Sequence, residues 1–344
     1  MRWLVTGAAG FLGIALIKKL IKLGIRVRGL DINAIEDKNL LKKIEFKQGD
    51  ICDRKKVFEA CKGIDIVVHA AAALPIVASK AKIEKVNFYG TKVLLESCLK
   101  NKVKKIIFIS TTAIYGIPKS HPIYEDSPKS PIGYYGISKF KAEKLCEKFR
   151  EKGLNIAILR PKTFLGAGRL GVFEILFDWL RRGKKIYVLG DGENRYQLLS
   201  VSDLIDAILI CAKSRKANDT FNLGAKKFGK LKEDLQALID YAGTGSKLVF
   251  LPAKPIQILL RVLEILRLSP LVQWQYETMD KESYVSISKA EKILNWHPKQ
   301  SNKEVLIESY KWYLKNYKKF EGKKGLTHTS PWDQKILKLI RFFS

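Results

Sequence analysis

The chain's 344 residues, 47% hydrophobic and 28% charged, can bury a large core, which excludes disorder as its ground state. No apolar run reaches the roughly 20 uninterrupted residues of a bilayer span, because the greasiest segment, 255–272, is broken by Arg261, Glu264 and Arg267. A net charge of +29 would attract anions, but the lysines are scattered along the predicted helices without interleaved aromatics, so no nucleic-acid partner is expected.

Short β-branched runs predict strands at 2–6, 25–30, 44–47, 64–69, 105–110 and 155–160. Helical periodicity fills the gaps at about 11–23, 54–61, 80–101 and 134–152. This alternation predicts an α/β chain on a doubly wound parallel sheet of the Rossmann type, covered by crossover helices. After Pro161 the regularity breaks up around glycine-rich turns at 166–171 and 190–192, although a helix near 203–213 and a strand at 220–223 can return to the main sheet. Residues 1–161, with returns near 200–223, are therefore expected to bind a dinucleotide, and 162–320 to form mainly a smaller, interwoven C-terminal substrate-binding region.

Residues 321–331 read as a linker. In the tail, 332–344, Trp332, Ile336, Leu339, Ile340 and Phe343 recur at helical spacing among Lys335, Lys338 and Arg341. Such a basic amphipathic helix packs back on the protein or across a homodimer, with a peripheral contact to an anionic membrane as the alternative. No early stretch combines a basic start, an apolar block and a cleavage site, so no export signal is expected. Cys52, Cys61, Cys98, Cys146 and Cys211 form no paired spacing, which predicts reduced thiols of a cytoplasmic protein and no metal site.

Thr6-Gly7-Ala8-Ala9-Gly10-Phe11-Leu12-Gly13 follows a predicted strand and opens a helix. There Gly7 makes the tight turn, Gly10 admits a pyrophosphate, and Gly13 lets helix and strand pack closely. Asp31, at the end of the second strand, can accept the ribose hydroxyls of an adenosine and repel the extra phosphate of NADP. NAD is the cofactor expected, with Arg26 and Arg28 leaving dual use open.

Tyr135-Gly136-Ile137-Ser138-Lys139 starts a helical run. Residues four apart share a helix face, so the Lys139 ammonium favours ionisation of the Tyr135 phenol, aided by the positive charge of an oxidised nicotinamide. Tyr134, five residues from Lys139, is rotated off that face. Upstream, the strand through Ile109 ends in Ser110-Thr111-Thr112-Ala113-Ile114-Tyr115-Gly116, and a hydroxyl at a parallel strand's carboxyl end can bond the reacting oxygen. Thr112 is the choice made from sequence. His69, a lone histidine at a strand end, reads as packed rather than catalytic.

Together these motifs resemble the extended short-chain dehydrogenase/reductase superfamily, in its NAD-dependent epimerase/dehydratase branch, over about residues 1–312. The resemblance implies cofactor contacts at Gly7, Gly10, Phe11, Leu12, Gly13, Asp31, Asp50, Ile51, Ala70, Ala71 and Ala72, with Asn87 supporting and Tyr135 and Lys139 completing the site. It implies Tyr-assisted hydride transfer by Thr112, Tyr135 and Lys139. Sugar 4,6-dehydratases resemble S-T-D-E-V-Y-G at the hydroxyl strand, whereas Thr112 and Ala113 replace the acidic pair here, so dehydration is not expected. Gly190-Asp191-Gly192-Glu193-Asn194-Arg195 is similar to the substrate segment of nucleotide-sugar 4-epimerases, which makes Arg195 a candidate diphosphate clamp. Counting back from Asp203 instead puts Tyr196 at the family's arginine position. Tyr276 replaces a second arginine, and Thr163 stands where many epimerases carry Asn. Leu159-Arg160-Pro161 and the apolar stretch after Leu251-Pro252 also resemble 3β-hydroxysteroid dehydrogenase-like members. A nucleotide-sugar epimerase is the first expectation and a dehydrogenase of a hydrophobic alcohol the second; a non-catalytic dinucleotide sensor or assembly protein is a third.

Overall fold

The computed structural model describes residues 1–74, 78–266 and 273–320. The predicted tail, the linker and part of the apolar segment lie outside the described residues. Eleven strands are found among those described: β1 (Arg2–Thr6), β2 (Arg26–Asp31), β3 (Glu45–Gln48), β4 (Ile66–His69), β5 (Lys105–Ile109), β6 (Ile156–Pro161), β7 (Thr163–Leu165), β8 (Ile186–Leu189), β9 (Leu198–Ser200), β10 (Thr220–Leu223) and β11 (Leu248–Leu251).

Seven of them form one parallel sheet in the order β10-β6-β5-β4-β1-β2-β3, while β7 pairs with β9 and β8 with β11. Helices cover both faces of the large sheet, so successive residues enter different cores. Trp3 and Val5 face one core and Leu4 the other; Ile107 and Ile109 oppose Ile106 and Phe108 in the same way. This two-sided burial explains the nearly continuous apolar strands of the sequence. Strand order reverses between β1 and β4, which opens a crevice at the carboxyl ends of the strands.

The predicted helix at 80–101 is interrupted. Lys80–Glu84 passes through a wide turn at Lys85–Tyr89 into the helix Gly90–Lys100. That wide turn buries Asn87, whose side chain bonds the backbone of Ala73 on both sides and the Ser138 hydroxyl. Such i→i+5 turns re-aim a side chain that a regular helix would misplace.

A buried ion pair ties the sheet to the helix Gly133–Glu151. Arg160 on β6 grips Glu143 of that helix at 2.7 Å and bonds the Tyr115 phenol, which in turn bonds Asn222 on β10. Its two side chains are 4% and 1% exposed, so neither charge can fall back on water. Arg160→Met, which strands Glu143 without its partner, should lower unfolding free energy by about 3–5 kcal/mol in urea titrations. A loss below about 1 kcal/mol, the size of an exposed pair, would show that the network does not hold these elements together.

Candidate active site

Gly7 has φ +72, and its N–H is bonded to the Leu30 carbonyl. A Cβ there would come within 2.7 Å of the Ala71 nitrogen, and one at Gly13 within 2.1 Å of the Gly7 carbonyl oxygen. Gly7 therefore needs glycine for space as well as conformation, and Gly13, inside the helix Phe11–Lys22, for space alone. No side chain caps the helix Phe11–Lys22 that follows, leaving its first N–H groups for an anion. Asp31 accepts from the N–H groups of Ala9 and Asn33, which lower its carboxyl against a larger upward push from burial. Arg28 turns away to the carbonyls of Ala60 and Lys62 and to Glu45, so it offers nothing to a ribose phosphate.

A cavity of about 990 Å³ runs from this loop across the strand ends. Gly7, Gly10, Phe11, Leu12 and Gly13 line it, as do Asp31, Asp50 and Ile51, and also Ala70, Ala71 and Ala72. Asn87 stays behind the wall and fixes Ala73. The cradle and the uncapped helix fit a dinucleotide, which would lie along these residues.

Tyr135 and Lys139, one turn apart on the helix Gly133–Glu151, both line the cavity. The Lys139 ammonium donates to the Ile109 carbonyl at 2.6 Å and lies 4.1 Å from the Phe108 ring centre; burial pushes its amine down to about 8. Burial pushes the Tyr135 phenol up to about 12, against the lowering effects of the Thr111 hydroxyl and the Arg169 charge. His69 is buried between the hydroxyls of Thr6 and Thr91 and pushed down to about 3 by burial, which keeps it neutral and occupied.

Three expected roles shift. The hydroxyl that meets Tyr135 belongs to Thr111 and not to Thr112. Thr111 remains in extended backbone while Thr112 begins a 3-10 turn, and the Thr111 oxygen already accepts from the Ala113 N–H, which frees its proton for donation. Arg195 does not line the cavity; it pairs with Glu282 at 3.2 Å and lies over the Tyr284 ring. Its neighbour Tyr196 faces inward and meets Thr163, because side chains alternate along extended backbone. Tyr276 is fully buried, and its phenol is consumed by Glu264 at 2.6 Å.

Sequence reasoning missed two cations that line the cavity. Lys162, 4% exposed, donates to the Ser283 hydroxyl and lies over Tyr196; Arg169, 7% exposed, lies beside the stacked Phe11 and Phe164 rings. Lys162 follows Pro161 directly, and Arg169 sits inside the 166–171 glycine cluster, where the sequence signals only turns. Among the described residues, no group of three or more metal-ligating side chains could hold an ion, and no helix is long and apolar enough to cross a membrane.

Residues 3–224 match the model of the NAD dependent epimerase/dehydratase family. The chain is 38% identical to an uncharacterized protein, y4nG, of Sinorhizobium fredii, over 98% of this chain and 85% of the relative. It is 26% identical to the mouse (Mus musculus) sterol-4-alpha-carboxylate 3-dehydrogenase, decarboxylating, over 86% of each. Among solved structures, UDP-glucose 4-epimerase from Thermotoga maritima with UDP-glucose superposes with a TM-score of 0.78 at 30% identity, covering 92% of this chain and 100% of that one. The chain therefore belongs to the NAD dependent epimerase/dehydratase family.

The buried Lys162 has a measurable consequence. Burial pushes its amine down to about 7 from an ordinary 10.5, so the folded protein sheds this proton while the unfolded chain keeps it. Below that window both states are charged and the folded state carries the full cost of burying an ammonium; the cost is relieved as pH rises. Wild type should accordingly gain stability relative to Lys162→Met as pH rises from about 7 toward 10.5, read from denaturant midpoints. A difference that stays flat with pH would contradict this placement.

Proposed function

We propose that this family member is an NAD-dependent oxidoreductase that oxidises or reduces a secondary alcohol on a largely apolar substrate, with Tyr135 as its acid and base. The observation that carries this reading is the lining of the cavity beyond the glycine loop. Val172, Leu176, Leu189, Ile256, Leu259 and Leu263 line that lobe, while the expected diphosphate clamp, Arg195, is turned outward. Leu259 is both part of the lining and 51% exposed, and Ile258, Val262 and Ile265 continue an exposed apolar face on the helix Ala253–Ile265. An apolar mouth of this kind favours a substrate with little hydration to lose.

When bound, NAD⁺ would supply the hydride acceptor and a positive charge. In the oxidative direction Tyr135 takes the hydroxyl proton as the carbinol C–H bond breaks, and in the reductive direction it returns that proton. The Lys139 charge favours the phenolate form, and the Thr111 hydroxyl donates to the oxygen on which charge develops. Thr163 and Tyr196 add hydroxyls to the cavity lining. NAD is preferred over NADP because the Asp31 carboxylate stands where a 2′-phosphate would be repelled.

The nucleotide-sugar epimerase reading remains the second one, favoured by the likeness to the Thermotoga epimerase and by Lys162, a cation able to meet a sugar-linked phosphate. The two readings separate on one panel. With added NAD⁺, the purified protein should raise NADH absorbance on hydrophobic secondary alcohols; interconversion of UDP-sugars without net cofactor reduction would establish the epimerase instead.

Two sets of variants test the machinery. Tyr135→Phe should lower turnover by about 10²–10⁴-fold with NAD affinity nearly unchanged, and retained activity would remove the phenol from its role. Thr111→Val should lower kcat by roughly 10²–10³-fold while Thr112→Val stays close to wild type. Equal losses in the two threonine variants would contradict the assignment.

A further inference from the structure

Arg169 is buried in the cavity wall with its charge uncompensated. Its Nε has no acceptor, and no carboxylate or carbonyl among the described residues meets the guanidinium. What holds it is aromatic: the ring centres of Phe11 and Phe164 lie 5.4 and 5.6 Å away, and those rings stack at 5.8 Å. Ring faces attract a cation but leave its five N–H donors unsatisfied. Gly166, Gly168 and Gly171 adopt positive φ on either side, and the Arg169 N–H bonds back to the Gly166 carbonyl, so the loop's conformation sets the guanidinium in place.

A desolvated, unpaired charge is costly, and a fold that keeps one in a ligand cavity is prepared for an opposite charge. The position of Arg169 identifies which. Phe11, under the guanidinium, is the first residue of the helix that opens from the glycine loop with no side-chain cap. Arg169 thus lies beside the start of the helix that follows the glycine loop, within electrostatic reach of the Tyr135 phenol. We propose that Arg169 supplies the counter-charge for the diphosphate of the bound dinucleotide, adding charge-assisted bonds to the N–H groups of the loop. This inference rests on the NAD reading above and adds to it a residue outside the glycine motif, which makes cofactor affinity depend on the 163–171 segment.

Binding itself tests this. NAD⁺ and ADP-ribose, titrated calorimetrically, and adenosine, followed by NMR as a phosphate-free probe, are compared in wild type, Arg169→Met and Arg169→Lys. Arg169→Met should lose roughly ten- to a hundred-fold in affinity for NAD⁺ and ADP-ribose, Arg169→Lys should recover part of it, and adenosine should bind all three alike. Without ligand, Arg169→Met should melt at or above the wild-type temperature, because it removes an unpaired buried charge. Unchanged NAD⁺ affinity would overturn the proposal, as would an equal loss for adenosine or a marked fall in the unliganded melting temperature, each of which marks a purely structural role. A wild-type protein that binds none of the three probes would instead overturn the NAD reading beneath it.

Discussion

The Lys139 ammonium, buried and held 2.6 Å from the Ile109 carbonyl at the carboxyl end of β5, is the contact on which the site is built. It fixes the start of the helix Gly133–Glu151 against the strand and thereby sets Tyr135 over the crevice. The supports around it are specific. Asn87 reaches the Ser138 hydroxyl from its wide turn, Ser138 bonds the Tyr135 carbonyl, and Arg160 clamps Glu143 further along the same helix. Each of these bonds is buried or partly so, which makes the helix position costly to change.

Desolvation shapes the chemistry in both directions. The same burial that raises the Tyr135 phenol lowers the Lys139 amine, so the free protein holds a protonated phenol and, one helical turn on, an ammonium that loses its proton readily. A cofactor that brings positive charge favours the phenolate and so couples binding to activation. The apolar part of the cavity is different in character. Its polar groups, among them Lys162, Thr163, Tyr196, Asp234, Ser283 and Asn302, are outnumbered by aliphatic and aromatic ones, which favours an apolar alcohol over a nucleotide-sugar.

The parts legible in the sequence were those set by local geometry. Alternating strands and helices follow from periodicities of two and 3.6 residues, and the Tyr135–Lys139 pair follows from one turn of a helix. The parts that escaped depend on partners distant in the chain. Arg195 was drawn outward by Glu282, Tyr276 inward by Glu264, and nothing local in either segment announced those partners. Thr111 and Thr112 differ by where a 3-10 turn begins, a boundary finer than strand patterning resolves. The S-T-D-E-V-Y-G likeness had nevertheless aligned Thr111 with that pattern's threonine. Arg169 was hidden among glycines that read only as a turn.

In the proposed mechanism, positive charge converts Tyr135 from a weak acid into a base. An ultraviolet difference titration of the phenolate, wild type minus Tyr135→Phe, with and without saturating NAD⁺, reads that conversion directly. The phenol should titrate near 12 in the free protein and move down toward neutrality when NAD⁺ binds, with a smaller movement in Lys139→Met. A Tyr135 titration that stays in place on binding, or moves equally without Lys139, would contradict the account.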